Sequence, residues 1–222
     1  MILSKRPLPI DDFLENLETG DIILMHGEYF SSLVVEGIEG CHWSHAAIAV
    51  RPADAGITGL DPKTVLLWES NIRTPVRDVI RNSIKEGPML VDLKERIVHN
   101  YGTRDDGDFA ARKLHYTRPA DFNKKLRGII ESVYGAVFPS VPSGEMGHFL
   151  MGRTKNKPVT DNSFFCSQLV AHTFKNLGLI TSQYVDNSYA PADFSEKLDV
   201  SLLNNAWLDR EIWLDKSTIP PR

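Results

Sequence analysis

The apolar positions of this chain recur with two periods, which predicts a mixture of strands and helices. Short apolar or alternating runs indicate strands, and they occupy residues 22–25, 45–50, 65–68, 89–93, 95–99 and 206–214. Apolar residues three and four apart indicate helices, and they occur at 10–17, 31–38, 120–134, 163–177 and 189–194. We therefore expect an α+β fold in which helices pack on an antiparallel sheet.

One long segment, residues 138–162, has no clear period. Glycines and prolines interrupt its first half, and a basic stretch follows. Loops of this length in compact domains are commonly functional or mobile, so we expect an inserted loop or lid where substrate binds. Gly144, Gly147 and Gly152 would be hinges of that lid, or turn residues in a loose loop. No linker or repeat divides the chain, which predicts one domain over residues 1–222.

Charge and composition exclude several partners. The 222 residues have a formal net charge of -4, and no cluster of lysine and arginine indicates a nucleic-acid groove. The polar residues at 4–7 break the apolar start, which is unlike a signal peptide, although a trimmed signal stays an alternative. No run approaches the ~20 apolar residues of a membrane span. We expect a cytoplasmic protein without a transmembrane segment, and the oligomeric state stays open.

The chain has two cysteines, Cys41 and Cys166. Two cysteines do not form a disulfide framework, so free thiols in a reducing compartment are preferred over a single bridge. Cys166 begins a predicted amphipathic helix, where the helix dipole and free backbone N–H groups favour a thiolate. Cys166 is therefore the candidate nucleophile, with an inert core thiol as the alternative.

His45 and Glu69 are the candidates for the remaining catalytic roles. His45 begins an apolar strand, and it could accept the Cys166 proton and later return it to the leaving group. Glu69 ends another apolar strand, where a buried carboxylate is costly unless it is paired. It could accept the second imidazole N–H and fix the tautomer. The alternatives are an ordinary core or surface histidine and an acid paired with Arg73.

A metal site is a further alternative for the segment that contains His45. Cys41, His42 and His45 lie close together in sequence. Zinc takes about four ligands with regular spacing, and the sequence has no second cluster. We therefore expect no metal and no cofactor. Cys41 is interpreted as a small buried residue, and a disulfide with Cys166 that acts as a redox lock stays an alternative.

Several short segments follow one another in a distinctive order. They are Leu-Glu-Thr-Gly-Asp-Ile-Ile at 17–23, Trp-Ser-His-Ala-Ala-Ile at 43–48, Leu-Trp-Glu-Ser at 67–70, Val-Tyr-Gly-Ala-Val-Phe at 133–138, Phe-Cys-Ser-Gln-Leu-Val at 165–170 and Pro-Ala-Asp-Phe at 191–194. Together they resemble the circularly permuted branch of the NlpC-like, papain-fold superfamily, the YiiX-like family. Ordinary papain-like enzymes place cysteine before histidine, whereas the order here is His45, Glu69, Cys166.

The resemblance implies a permuted papain-like fold, with the nucleophile helix packed on a small antiparallel sheet or barrel. It implies a triad of Cys166, His45 and Glu69, in which the oxyanion meets the backbone N–H of Cys166 and a second donor that stays open. Gln168 stands where the family commonly has glutamate. The asparagine-cysteine-glutamate-histidine motif of the lecithin–retinol acyltransferase-like relatives is absent.

The function expected from this resemblance is a cysteine hydrolase that cleaves an amide bond, as a peptidase or amidase, through a thioester acyl-enzyme. Its substrate would be a small peptide, an amide or a lipid amide. A thiol acyltransferase or lipid esterase would use the same triad, and an inactive ligand-binding module is a further alternative. Residues 138–162 contain both apolar and basic side chains, so they do not separate a peptide from an acyl chain.

Overall fold

An antiparallel sheet lies at the centre of the part of the chain that the computed structural model describes, residues 6–26, 40–72, 74–100, 107–139, 143–159 and 162–221. The strands are β1 (Ile22–Met25), β2 (His45–Val50), β3 (Leu66–Asn71), β4 (Gly87–Asp92), β5 (Phe109–Arg112), β6 (Leu114–His115), β7 (Trp207–Leu208) and β8 (Ile212–Trp213). The sheet has the order β4-β3-β2-β1-β5-β8, and β6 pairs with β7.

Helices cover both faces of this sheet. They are α1 (Ile10–Glu15), α2 (Leu93–Asn100), α3 (Phe122–Val133), α4 (Ser143–Lys155), α5 (Cys166–Asn176) and α6 (Pro191–Phe194). Val170 of α5 packs in one apolar cluster with Ile48, and Ile97 of α2 packs in another with Ala49. Because alternate residues of β2 point to opposite faces, α5 and α2 lie on opposite sides of the sheet.

Burial on both faces explains the sequence pattern of the central strands. β1, β2 and β3 are buried at every position, so they read as continuous apolar runs rather than as strict alternation. The helices predicted at 120–134 and 163–177 are α3 and α5. Gly178 follows α5 with a φ of +77°, a left-handed conformation that glycine adopts without strain. The helix predicted at 31–38 lies outside the described residues.

Three sequence predictions about secondary structure were wrong. Residues 95–99 belong to α2 rather than to a strand, and the buried residues of this helix recur at helical spacing. Residues 206–214 form two short strands, β7 and β8, rather than one. The segment 138–162 is not a loop throughout, because α4 spans Ser143–Lys155. The glycines of this segment argued against a helix, since glycine has low intrinsic helix propensity.

Helix α4 packs closely against the backbone of residues 187 and 188. A Cβ on Gly152 would lie 2.6 Å from the backbone N of Ser188, in the short 3₁₀ turn Asp186–Ser188. Phe149 of the same helix is buried in an apolar cluster with Phe165 and Ala190. Gly152 is therefore a packing residue, and α4 lies against the segment that leads into Cys166.

Replacing Gly152 with alanine is expected to lower the free energy of unfolding by about 1–3 kcal/mol, because the new methyl group meets backbone that has little room to move. Gly147→Ala in the same helix is the matched control, since its Cβ would meet nothing within 4 Å. That control should be neutral or stabilising by up to about 1 kcal/mol. Urea titrations of the two variants measure both effects, and equal values would show that Gly152 is not a packing residue.

Candidate active site

The start of α5 is held by hydrogen bonds on both sides of Cys166. Ser70 Oγ in β3 donates to the backbone carbonyl of Phe164 over 2.6 Å. Ser167 Oγ donates to the backbone carbonyl of Tyr189 over 2.8 Å. Cys166 itself is the first residue of the helix and is 5% exposed. Its position is therefore set by the sheet on one side and by the segment before α6 on the other.

The side chain of Gln168 caps this helix. Its Oε1 accepts a hydrogen bond from the backbone N–H of Phe165 over 3.4 Å, and its Nε2 donates to the carbonyl of Ser163 over 3.2 Å. The helix predicted from residue 163 therefore begins three residues later, and the residue before it is Phe165. A polar side chain three residues into the helix satisfies the exposed donor at its start.

His45 begins β2 at the end of the sheet, where it lies opposite Met25 of β1. Its side chain is 2% exposed. Nε2 lies 2.9 Å from Oε2 of Glu69, and Cys166 is close enough to raise the pKa of the imidazole. The structure thus brings together the three residues that the sequence singled out, with His45 between the other two.

Glu69 lies in β3 and is fully buried. Its Oε1 is 3.2 Å from Nε of Arg96 in α2. Its Oε2, which faces His45, also accepts a hydrogen bond from Nδ2 of Asn71 over 3.4 Å. The alternative partner, Arg73, lies outside the described residues. A buried carboxylate is tolerated where such partners surround it, so these contacts account for Glu69 inside the core.

Charge shifts the pKa values of both residues. Burial alone would lower the pKa of His45, but its interactions with Cys166 and then with Glu69 raise that pKa to about 9. Burial alone would raise the pKa of Glu69, whereas Arg96, followed by His45 and Asn71, lowers it to about 2. His45 and Glu69 are therefore both charged at neutral pH.

These shifts predict how stability depends on pH. The pKa of His45 is raised, so its contribution is complete below its ordinary value of about 6.5 and is lost as the pH rises through about 9. The pKa of Glu69 is lowered, so its contribution is complete above its ordinary value of 4.5 and is lost as the pH falls through about 2. We expect the midpoint of thermal unfolding to fall across the alkaline range, and to fall less in Cys166→Ala. Equal slopes in the two proteins would contradict this linkage.

The remaining candidate residues have other partners. Cys41 is buried and reduced, with Sγ 3.7 Å from Oγ of Ser195, and the disulfide with Cys166 is not formed. His42 Nε2 lies 2.9 Å from Oδ2 of Asp108. No group of three or more histidine, cysteine or acidic side chains is placed to hold a metal ion in the described ranges.

Residues 138–162 were expected to touch substrate. The structure places α4 of this segment beside Phe165, through Phe149. Phe165 directly precedes Cys166 in the chain, so α4 packs beside the residue before the candidate nucleophile.

In the parts of the chain with a described structure, no helix has the length and apolar character to cross a membrane.

Sequence reasoning missed Arg96 and Asn71. Arg96 lies in the segment predicted as a strand, 95–99, and was given no role, but it is 3% exposed. The signal that could have found it is the spacing of Leu93, Ile97 and Asn100 around it, which gives α2 a buried face. Asn71 lies two residues after Glu69, on the same face of β3.

Comparisons with known proteins give little further information. No family model matches the sequence, and no curated protein matches it. Among solved structures, this one is similar to the crystal structure of the metalloprotein yiiX from Escherichia coli O157:H7, with 17% sequence identity and a TM-score of 0.44. The match covers 72% of this chain and 66% of that chain. A similarity at this level carries no argument about function.

Proposed function

We propose that this chain is a cysteine hydrolase that cleaves an amide bond, with Cys166 as the nucleophile, His45 as general base and acid, and Glu69 as the residue that orients His45. The observation that carries the proposal is the buried series of these three residues. His45 Nε2 lies 2.9 Å from Glu69 Oε2, and interactions with Cys166 and Glu69 raise the pKa of His45 to about 9. Strongly perturbed titratable groups of this kind cluster at functional sites.

The proposed reaction has two halves. The thiolate of Cys166 attacks the carbonyl carbon of the amide, and the C–N bond breaks as protonated His45 gives its proton to the leaving amine. This leaves a thioester on Cys166 and a neutral imidazole. His45 then takes a proton from water, whose oxygen attacks the thioester. The carboxylic acid leaves, and the thiolate and the imidazolium are restored.

The two nitrogens of His45 have separate roles in this proposal. Nε2 lies at Glu69, so Nδ1 is the nitrogen assigned to proton exchange with Cys166. The carboxylate of Glu69 fixes this orientation and stabilises the imidazolium. Glu69 is itself held by Arg96 and Asn71. The carboxylate that orients the imidazole of His45 therefore has a fixed position.

One donor for the oxyanion is proposed from the helix. Cys166 is the first residue of α5, so its backbone N–H has no acceptor within the helix and can meet the developing negative charge. Gln168 is a poor second donor, because its amide already bonds to Phe165 and Ser163. The second donor therefore comes from another part of the site.

The wider assignment follows from the same residues. We propose a single domain with a permuted papain-like fold, in the YiiX-like family, because His45 and Glu69 precede Cys166 in the chain and the segments that resemble that family follow one another in the same order. Helix α4 is proposed as the inserted segment that borders the substrate. A nucleophilic thiol must stay reduced, which suits a reducing compartment such as the cytoplasm.

Trapping the acyl-enzyme tests this function. The protein is incubated with small peptide amides, acyl p-nitroanilides and p-nitrophenyl esters of short and long acyl chains, quenched in acid and analysed by intact mass and peptide mapping. We expect acylation of Cys166 and release of amine from the amides, and neither in Cys166→Ala. Cys41→Ser should behave like the wild-type protein.

The other outcomes each identify a different function. Reaction with long-chain esters but not amides would assign a lipid esterase. Transfer of the acyl group to an added amine or alcohol in preference to water would assign an acyltransferase. The absence of any adduct across the panel would overturn the hydrolase proposal in favour of an inactive ligand-binding module.

Glu69→Gln is expected to lower kcat/KM on the order of 10²-fold, because a neutral amide neither fixes the imidazole tautomer nor stabilises the imidazolium. Cys166 should still be alkylated by iodoacetamide. Kinetics with an accepted amide substrate check the rate, and mass spectrometry checks the alkylation. A wild-type rate would remove Glu69 from the mechanism.

A further inference from the structure

We infer that Arg96 is a positioning residue of the site, which holds Glu69 toward His45 and supplies the buried positive charge that favours the deprotonated forms of the neighbouring groups. This inference rests on the proposed function and deepens it. Arg96 does not touch the reacting atoms, so its effect on chemistry acts through Glu69.

The contacts of Arg96 fit this role. Its side chain is 3% exposed, and Nε lies 3.2 Å from Oε1 of Glu69, the oxygen that does not face His45. Nη1 donates to Oδ1 of Asn100, one turn further along α2. Arg96 is therefore anchored in its own helix and contacts Glu69 from behind. The carboxylate is held at both oxygens, one by Arg96 and the other by His45 and Asn71.

The positions of these residues in the fold give the same picture. Glu69 and His45 point to the face of the sheet that α2 covers, since Leu67 and Ala47, two residues away on each strand, pack there with Leu93 of α2. Met89 of β4 is the register partner of Glu69 and is apolar. The charge that faces Glu69 from outside its own strand thus comes from α2 and β2.

The charges around Glu69 give the inference a definite sign. Among the residues with a described structure, Arg96 on α2 and His45 on β2 are the positive groups that act on Glu69, Asn71 on β3 is neutral, and Cys166 on α5 lies beyond His45. Arg96 is the strongest of the causes that lower the pKa of Glu69. Removing a buried positive charge makes every neighbouring group harder to deprotonate. The pH at which Cys166 becomes reactive should therefore rise when Arg96 is neutralised.

A purely structural arginine would behave differently. It would contribute to stability through the same hydrogen bonds, and its loss would lower the unfolding temperature without moving the pH profile of Cys166. Arg112 offers a matched control, because it is also buried and lies 2.7 Å from Asp199. Its register partner is Ile22, at the end of β1 away from Met25 and His45.

The experiment follows alkylation of Cys166 by iodoacetamide against pH, in the full chain with Cys41→Ser as background. We expect Arg96→Gln to move the alkylation midpoint upward by about one pH unit or more. Arg96→Lys should keep the wild-type alkylation midpoint, because lysine keeps the positive charge. It should lower the plateau rate of alkylation, because lysine lacks the second guanidinium nitrogen that bonds to Asn100. Arg112→Gln should lose stability and leave the profile in place.

An unchanged midpoint in Arg96→Gln, in a protein whose midpoint does move in His45→Ala, would overturn the inference and leave the proposed function standing. An unchanged midpoint in His45→Ala as well would instead remove the proposed function. Should Arg96→Gln not fold, Arg96→Lys decides the question. A plateau rate equal to that of the wild-type protein in that variant would show that the geometry imposed by arginine is not needed.

Discussion

Cys166→Ala is expected to abolish turnover of an amide substrate, with a loss of at least ~10³-fold in kcat. The thiol is the group that forms the covalent intermediate, and alanine offers no replacement. The fold should persist, because the start of α5 is held by Ser70 and Ser167 rather than by the thiol. Steady-state kinetics and circular dichroism of the purified variant measure the two effects.

Cys41→Ser is the matched control for this substitution, since Cys41 is the other buried, reduced thiol. Its Sγ lies 3.7 Å from Oγ of Ser195, a residue outside the proposed triad, so the variant should keep wild-type activity. A Cys166→Ala variant that unfolds would show that the thiol is a packing residue. A folded variant that still turns over substrate would remove Cys166 as the nucleophile.

His45→Ala is expected to lower kcat on the order of 10²–10⁴-fold. The substitution removes the group that exchanges protons with the thiol and the leaving amine. It also leaves Glu69 buried beside a cavity with Arg96 and Asn71 as its remaining partners. The unfolding temperature should therefore fall as well, and the kinetic loss is measured below that temperature.

His172→Ala controls for the loss of a histidine–carboxylate pair. Nδ1 of His172 lies 2.7 Å from Oδ2 of Asp186, so the two residues are as close as His45 and Glu69, but His172 is on α5 and Asp186 is in the 3₁₀ turn. This variant should retain activity within a few-fold of the wild-type protein, on the scale of a residue outside the chemistry. Equal losses in the two variants would show that the effect of His45→Ala comes from destabilisation.

Much of the fold follows from local sequence patterns. The apolar stripe of Phe122, Leu126 and Ile130 predicts α3, and the stripe that follows Cys166 predicts α5, since each helix has one face on a single core. The continuous apolar runs of β1 and β2 predict buried strands. These elements are periodic over most of their length, which is why the pattern identifies them.

The elements that were missed depend on tertiary contacts. Helix α4 contains glycines that local propensity disfavours, and it is held by the approach of Gly152 to Ser188 and by the burial of Phe149. Helix α2 is short and polar. Because several of its residues are charged, the sequence did not indicate that one face, which includes Arg96, is buried. Neither packing partner can be identified from the residues of the helix itself.

The candidate site divides in the same way. Cys166 at a helix start and His45 at a strand start are visible as separate features of the sequence. Their proximity is a property of the fold, because α5 and β2 are more than a hundred residues apart in the chain. The contact of Arg96 with Glu69 depends on α2 covering the far face of β3. The order of the motifs suggested that Cys166, His45 and Glu69 would meet, but it did not indicate that Arg96 would contact Glu69.

The pH dependence of Cys166 alkylation tests the central claim most directly, because it needs no knowledge of the substrate. Rates with iodoacetamide are compared within each protein, in the Cys41→Ser background, so that the accessibility of the thiol cancels. At pH ~6.5, about two units below the pKa of a free cysteine, we predict that Cys166 retains more than about a third of its alkaline rate, and that His45→Ala loses this reactivity. A rate that falls about 100-fold at pH ~6.5, as for a free thiol, and that does not respond to His45→Ala would contradict the account.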